Sequence, residues 1–210
     1  YLMSKFSLKE LLFYLLGTVT IAFGVVMVIK STLGTGPWDP VFIVLARRIE
    51  PLTIGVSATL VTSLLTLWTT WMRKDIRLIL MIVPILFVGV FIDLFDLVIF
   101  KDFAPEGWFR LVPYLTGLSL VPLGGAILVV TRYPAGVFEE MTLLVRDRLK
   151  FKQVFPARMH IQPFPMVLSG VLSLIWFRDL GAINIGTLGF IAFIGPLFQV
   201  YLKRLETVTF

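Results

Sequence analysis

Two carboxylates near the end of a strongly apolar stretch are the first candidates for chemistry. Asp93 and Asp96 are three residues apart, so a helix would place both on the same face. A carboxylate in the middle of a membrane span costs about 2.5 to 3.5 kcal/mol on insertion scales, and such residues usually face a polar cavity or a partner. Asp93 is therefore a candidate for binding a proton or a small cation, with a buried pairing as the alternative. If the span ends before Asp93, both residues are ordinary acids of the membrane interface.

A glycine- and proline-rich turn carries the next candidate. Residues 33–40 read LGTGPWDP, and Asp39 followed by Pro40 predicts a helix start with a carboxylate at the N-cap and proline at the first helical position. Asp39 either only caps this helix or belongs to a pocket in which exposed backbone and a helix N-terminus meet a polar ligand. The candidate binding residues of the turn are Gly34, Gly36, Pro37, Trp38 and Asp39.

A second short helix with the same charge order follows 101 positions later. The first, Pro40 to Arg48, begins beside an acid and ends in arginines, whereas the second, residues 138–150, begins with Glu139 and Glu140 and ends in basic residues. At about 1.5 Å per residue, neither helix is long enough to cross a hydrocarbon core of about 30 Å. Both glutamates are candidates for the same pocket, with simple solvation on a surface helix as the alternative. The recurrence predicts an internal duplication.

The composition is that of an integral membrane protein. Of the 210 residues, 58% are hydrophobic and 15% are charged, whereas a soluble domain would carry about 25% charged residues. The absence of cysteine excludes disulfides, thiolate zinc sites and cysteine nucleophiles, and a single histidine excludes the usual multi-histidine metal sites. We therefore expect neither an enzyme nor a bound cofactor.

Six apolar segments predict an all-α, polytopic membrane protein that forms a single domain over residues 1–210. Aromatic residues such as Trp71 and Trp108 lie near the segment ends, as they do at membrane interfaces. With the N-terminus inside, the inner segments hold 13 of the 19 Lys and Arg residues and the outer segments hold 6, which predicts that both termini are cytoplasmic. The predicted spans are roughly 11–29, 52–71, 78–100, 111–131, 161–177 and 182–202.

Six spans in two halves give three spans per half, and an odd number forces the second half to enter the membrane from the opposite side. The sequence therefore predicts two inverted repeats, at about residues 11–100 and 111–204, each with a short interrupted helix. The third spans match at an offset of 106, which aligns Asp93 with Gln199 and adds Gln199 to the candidate binding residues.

Three stretches resemble the YczE-like branch of the bacterial YczE/YitT integral membrane proteins. They are GTGPWD at 34–39, GVFIDL at 89–94, and the last span with IGTLG at 185–189 and GPLFQ at 195–199. The resemblance covers nearly the whole chain, and it implies a bacterial plasma membrane location and a topology more than an activity. In the second half, PAGVFEE at 134–140 stands where a Gly-x-Gly-Pro-like turn with a basic residue is expected. The fifth span also opens with an unusual QPFP at 162–165.

The basic segment from residue 146 to residue 160 predicts contact with the membrane surface. Its positive charges alternate with apolar side chains, which suits anionic lipid headgroups, and nucleic acid is not an expected partner because basic cytoplasmic loops explain the net charge of +6. The residues predicted to contact anionic lipid are Arg146, Arg148, Lys150 and Lys152.

Two functional hypotheses of different classes follow. The leading one is a small secondary transporter or permease for a small polar solute or an ion, with its site between the two inverted repeats. The alternative is a non-transporting accessory protein that scaffolds a membrane enzyme or export complex. A scaffold requires a repeat interface filled with apolar side chains, whereas a transporter requires a polar cavity there. The sequence leaves homo-oligomerisation open.

Overall fold

The computed structural model describes residues 8–131, 136–151, 157 and 160–205. Within these residues the regular elements are helices, and α4 is extended by a 3₁₀ segment (Ile76–Met81) before it and a π-helical segment (Leu94–Ile99) after it. A 3₁₀ turn, Gly107–Arg110, precedes α5. The α-helices are α1 Leu8–Ser31, α2 Asp39–Arg48, α3 Ile54–Arg73, α4 Ile82–Asp93, α5 Leu111–Val130, α6 Val137–Leu149, α7 Pro163–Phe177 and α8 Ile185–Leu205.

Five of the helical segments are long and apolar enough to cross a membrane, which is the pattern of a multi-pass membrane protein. They are residues 8–31, 54–73, 76–99, 107–130 and 185–205. The predicted span at 161–177 corresponds to α7, which has 15 residues and a length of about 22 Å, short of a hydrocarbon core of about 30 Å. Both predicted short helices are present, as α2 with 10 residues and α6 with 13.

Helices α1 and α5 form the centre of the fold and pack closely against each other in antiparallel directions. This close approach requires glycine. A Cβ atom on Gly124 would lie 2.7 Å from the carbonyl oxygen of Gly17, and one on Gly117 would overlap the carbonyl oxygen of Gly24. Small residues at such positions let two backbones approach closely, which is the usual way that membrane helices associate. The interface is therefore fixed by glycines seven residues apart on each helix.

The other helices are arranged around this central pair. Helix α4 packs on α1 and α8 packs on α5, while α2 packs on α7 and α6 packs on α3. The short helices α2 and α6 thus each contact a helix from the other half of the chain. The halves are not identical, because α3 packs on α4 whereas α7 and α8 hardly touch each other.

Buried faces recur at a spacing of 100 residues. In α2 the buried side chains include Val41, Phe42 and Val44, and in α6 they include Met141, Thr142 and Leu144. The charge pattern in the sequence indicates a spacing of 101, one residue more, because charged side chains at exposed helix ends tolerate a one-residue rotation. Buried side chains do not, so the packing defines the structural spacing.

Candidate functional site

A cavity of about 230 Å³ lies where the two halves of the chain meet, and we call it the central cavity. Its volume is below the roughly 300 to 1,000 Å³ that holds drug-sized ligands. Many of its wall residues lie 100 positions apart, so each half contributes equivalent positions. These pairs include Ile21 and Val121, Val25 and Gly125, Gly36 and Gly136, Pro37 and Val137, Trp38 and Phe138, and Phe42 and Thr142.

Asp39 brings a carboxylate to the wall of the central cavity. It is the first residue of α2, and its Oδ2 accepts a hydrogen bond of 2.9 Å from the backbone N–H of Gly36. The prediction that Asp39 is the N-cap of α2 is wrong, because its carboxylate accepts from the turn that precedes the helix and not from an N–H of the helix. Removal from bulk water raises the pKa of Asp39 to about 6, against the smaller opposing effect of the Gly36 hydrogen bond. Among the described residues of the cavity wall, no other side chain is ionisable.

Gly34 and Gly36 in the turn before α2 have different roles. Gly34 has a φ of +128°, and a side chain there would collide with the backbone of Thr187 at the start of α8. The turn is held to α8 by the N–H of Gly186, which donates to the carbonyl oxygen of Leu33 at 2.8 Å. Gly34 is therefore required for close packing, whereas Gly36 presents its N–H to Asp39.

Trp38 and Phe138 face each other across the junction of the two halves. Their rings are stacked with centroids 5.2 Å apart and an interplanar angle of 26°. Both side chains line the central cavity, and Trp38 is almost fully buried. Two aromatic rings at equivalent positions of α2 and α6 thus form one part of the cavity wall.

The remaining polar side chains of the cavity wall belong to Thr62, Thr142 and Gln162. The Thr62 hydroxyl donates to the carbonyl oxygen of Ala58, and the Thr142 hydroxyl donates to that of Phe138. Gln162 is 5% exposed, and its Oε1 has no hydrogen-bond partner among the described residues. The sequence analysis did not select Gln162, although the unusual QPFP run at 162–165 marks its position.

Comparison with known proteins assigns the chain to a family. Residues 8–203 match a family of unknown function, DUF6198. The chain belongs to this family. It is also 26% identical over 196 residues to the "Uncharacterized protein YyaS" of Bacillus subtilis (strain 168), a match that covers 93% of each chain. No solved structure matches the chain. The comparisons do not name the YczE-like branch, which stays a prediction.

Asp93, the sharpest candidate in the sequence, lies outside the central cavity of this DUF6198 protein. Its Oδ2 accepts a hydrogen bond of 2.6 Å from the Thr53 hydroxyl, and its Oδ1 accepts one of 2.8 Å from the N–H of Gly55. The same Thr53 caps α3 by accepting from the N–H of Val56. Asp93 therefore holds the N-terminus of α3, which is the pairing alternative, while its neighbours Gly89 and Ile92 line the cavity.

Asp96, three residues further on, also has a partner. Its carboxylate pairs with the ammonium group of Lys30 at 2.9 Å, and the two side chains are 12% and 17% exposed. This ion pair joins the π-helical segment after α4 to the end of α1. The two acids of this stretch thus hold helix ends in place.

Glu140 and Gln199, two other predicted site residues, do not line the central cavity. Glu140 lies near Arg73, with 3.4 Å between Oε2 and Nε, and Gln199 is exposed on α8. The side chain of Glu139 lies outside the described residues. Of the residues predicted to contact lipid, Arg148 and Lys150 are exposed, Arg146 pairs with Asp147, and Lys152 lies outside the described residues. The candidate residues that the structure does bring together are Gly36, Pro37, Trp38 and Asp39.

A second cavity, also of about 230 Å³, lies on the other side of the turn before α2. Gly34, Thr35 and Pro40 line this side cavity, whereas Gly36 to Asp39 line the central one, so the turn separates the two spaces. The buried hydroxyl of Thr35 has no hydrogen-bond partner among the described residues. Its other polar wall residues are Thr32, Arg47, Ser169, Ser173 and Asn184.

Two ion pairs join the halves of the DUF6198 chain at the ends of the short helices. Arg47 in the last turn of α2 pairs with Asp179 after α7 at 2.8 Å. Asp147 near the end of α6 pairs with Arg73 at the end of α3 at 3.4 Å. Arg47 and Asp147 are 100 positions apart, so the two contacts are equivalent with the charges exchanged. We call them the α2 latch and the α6 latch.

Proposed function

We propose that the protein is a small secondary transporter whose substrate site is the central cavity between two inverted repeats. The observation that carries the proposal is the composition of the cavity wall, where residues 100 positions apart from the two halves surround one carboxylate, Asp39. Substrate sites of inverted-repeat transporters lie at the repeat interface and use interrupted helices. The turn before α2 provides such an interruption.

The contacts between α1 and α5 support a two-fold relation between the halves. Gly17 contacts Gly124 and Gly24 contacts Gly117, and a shift of 100 residues converts one pair into the other. The stacked pair of Trp38 and Phe138 is converted into itself. In this proposal α7 is the sixth span, since a short hydrophobic helix is accommodated by local thinning of the bilayer. Three spans per half then require an inverted arrangement.

The two latches support alternating access. With both termini in the cytoplasm, the α2 latch lies on the outer side of the membrane and the α6 latch on the inner side. Each latch joins a short helix of one half to a residue of the other half, so rocking of the halves would break one latch while keeping the other. The predicted YczE-like topology and plasma membrane location are part of this proposal.

The scaffold hypothesis is favoured by one observation, which is that most of the cavity wall is apolar. A scaffold, however, has no use for an unfilled space that contains a carboxylate without a cationic partner among the described residues. Burying such a carboxylate costs free energy unless a ligand compensates. A transporter explains both the space and the acid.

Cysteine accessibility tests the proposal, because the chain has no native cysteine. Thr62→Cys places a thiol on the cavity wall, and an alternating-access transporter exposes it to membrane-impermeant thiosulfonate reagents added from either side of the membrane. Asp102→Cys and Lys203→Cys, both at exposed positions, report the outer and inner sides of the membrane. A Thr62→Cys protein that reacts from neither side would favour the scaffold, and reaction from one side only would contradict alternating access.

A further inference from the structure

We propose that the central cavity binds a small organic cation with N–H donors and an apolar body, such as a protonated amine or guanidine, whose positive charge takes the place of a proton on Asp39. This inference rests on the proposed function, since it names the substrate class of the same site. Three features of the cavity wall support it: the charge of Asp39, the direction of the hydrogen-bonding groups, and the apolar remainder.

The first feature is the uncompensated carboxylate. Asp39 accepts one hydrogen bond from Gly36 and forms no ion pair with a described residue. A buried carboxylate without a cationic partner is costly in the charged form, so the site favours either a proton or a cationic ligand. An anionic ligand would add a second negative charge to a wall whose described residues include no Lys or Arg.

The second feature is that the polar side chains of Thr62, Thr142 and Gln162 have free acceptor capacity. The hydroxyls of Thr62 and Thr142 donate to carbonyl oxygens of their own helices, which leaves their lone pairs for a ligand. The buried Gln162 Oε1 is an acceptor with no described partner. Together with the Asp39 carboxylate, these acceptors fit ammonium and guanidinium groups, which have donors and no acceptor. A quaternary ammonium ion has no N–H and would leave Gln162 unsatisfied.

The third feature is the size and the apolar character of the space. The volume of about 230 Å³ corresponds to roughly eight waters of about 30 Å³ each, which limits the ligand to a small molecule. The rings of Trp38, Phe42 and Phe138 and aliphatic residues of α1, α4, α5 and α8 form most of the remaining wall. An alkyl chain packs against these groups, and aromatic rings also attract cations.

Charge balance gives the exchange. One positive charge enters as the ligand and one leaves as the proton of Asp39, so the occupied site keeps the same charge. Burial raises the pKa of Asp39 to about 6, which keeps this proton exchangeable near neutral pH. Among the described residues, the charged groups on α2 and on the helices packed against it have other neighbours: α7 carries none, and Arg73 of α3 pairs with Glu140 and Asp147. On α2 itself, Arg47 pairs with Asp179 and Arg48 lies over the ring of Trp176.

Calorimetric binding of n-butylguanidinium to the purified full chain in lipid nanodiscs tests this inference. The probe stays charged at every pH used, so its pH dependence reports Asp39 alone. We expect affinity to fall about tenfold for each pH unit below about 6, because the ionised fraction of the Asp39 carboxyl falls about tenfold per pH unit. Asp39→Asn should weaken binding by about 10- to 100-fold and abolish the pH dependence, and it keeps an acceptor for Gly36.

Matched ligands and variants separate the three features. Butylurea, a neutral analogue, should bind at least about tenfold more weakly than butylguanidinium, and so should butyltrimethylammonium, which lacks N–H groups. Gln162→Leu should weaken the binding of butylguanidinium by about 3- to 10-fold and leave the binding of butyltrimethylammonium unchanged. Gln199→Leu, at an exposed position, should change the binding of neither ligand.

Equal binding of butylguanidinium and butylurea, or binding that Asp39→Asn does not alter, would overturn the inference. If Asp39→Asn does not fold, two other measurements test the inference. Binding by the wild-type protein that does not change with pH, or binding of butylguanidinium that Gln162→Leu does not weaken, would then overturn it. Failure of binding together with two-sided labelling of Thr62→Cys would reject the substrate class and retain the transporter. Binding together with one-sided labelling would retain the ligand and reject transport.

Discussion

Trp38 and Phe138 stack on each other with ring centroids 5.2 Å apart, and they hold equivalent positions in the two halves of the chain. In the proposed repeat arrangement this contact would lie on the axis that relates the halves, because exchanging the halves leaves it unchanged. Both rings line the central cavity, whose wall includes residues from both halves. In the proposed transporter, a ligand that contacts both halves would therefore bias their relative position.

Gly117→Ala should strongly destabilise the protein. Its new methyl group would overlap the carbonyl oxygen of Gly24 and a methyl group of Val28, and overpacking of this kind costs about 1 to 3 kcal/mol. The measurement is the thermal melting temperature in detergent, followed by size-exclusion chromatography. Gly195→Ala is the matched control, since nothing lies within 4 Å of its Cβ position, and it should be neutral or slightly stabilising. Equal effects of the two substitutions would show that α1 and α5 do not pack as described.

Asp39→Asn should make the protein more stable above about pH 6 and have little effect below about pH 4. The native pKa of Asp39 is raised from 3.8 to about 6, so the native state binds the proton more tightly than the unfolded state. Wild-type stability therefore falls as the pH rises through this window, by up to about 3 kcal/mol, and the asparagine variant does not titrate. Denaturant unfolding at several pH values measures the difference.

Asp179→Asn is the control of opposite sign. The hydroxyl of Ser173 and then the guanidinium of Arg47 hold the pKa of Asp179 below its usual value. Its contribution to stability is present above the unfolded pKa and is lost as the pH falls, so this substitution should destabilise the protein near neutral pH. If both asparagine variants shift stability in the same direction at neutral pH, the assignment of Asp39 as a desolvated acid without an ion pair to a described residue is wrong.

The sequence predicted the short helices and the turn before α2 because glycine, proline and charge at helix ends are local signals. It could not predict the direction in which Asp93 points, since helix rotation is decided by packing, and here the carboxylate binds the N-terminus of α3. Gln199 was selected only through its alignment with Asp93, and it lies on an exposed face. Gln162 was missed because an amide before a proline resembles an ordinary helix start. Its burial depends on contacts far away in the chain.

Asp93→Ala should reduce stability without weakening ligand binding by the folded protein. The substitution leaves the Gly55 N–H without its acceptor, and loss of a buried hydrogen-bond partner costs about 1 to 3 kcal/mol. Denaturant unfolding and butylguanidinium calorimetry on the same sample measure the two effects. Loss of binding in a protein that remains folded would move Asp93 into the ligand site and contradict the described geometry.

The two latches should control opposite sides of the central cavity. In a Thr62→Cys background, Arg47→Ala should increase the labelling rate from the outer side and Asp147→Ala the rate from the inner side. The α2 latch is exposed and the α6 latch is partly exposed, and exposed ion pairs contribute about 0.2 to 1 kcal/mol, so we expect changes of up to about fivefold. Equal changes on both sides for both variants would contradict the opposed latches.

Cation-driven proton movement in proteoliposomes tests whether the protein exchanges an organic cation for a proton through the central cavity. Vesicles that contain the wild-type protein and a trapped pH-sensitive dye receive n-butylguanidinium on the outside only. We expect the interior to become alkaline as the cation enters and protons leave. Vesicles with Asp39→Asn should show the same interior pH as protein-free vesicles. An interior pH that responds no differently in wild-type, Asp39→Asn and protein-free vesicles would contradict exchange through the central cavity.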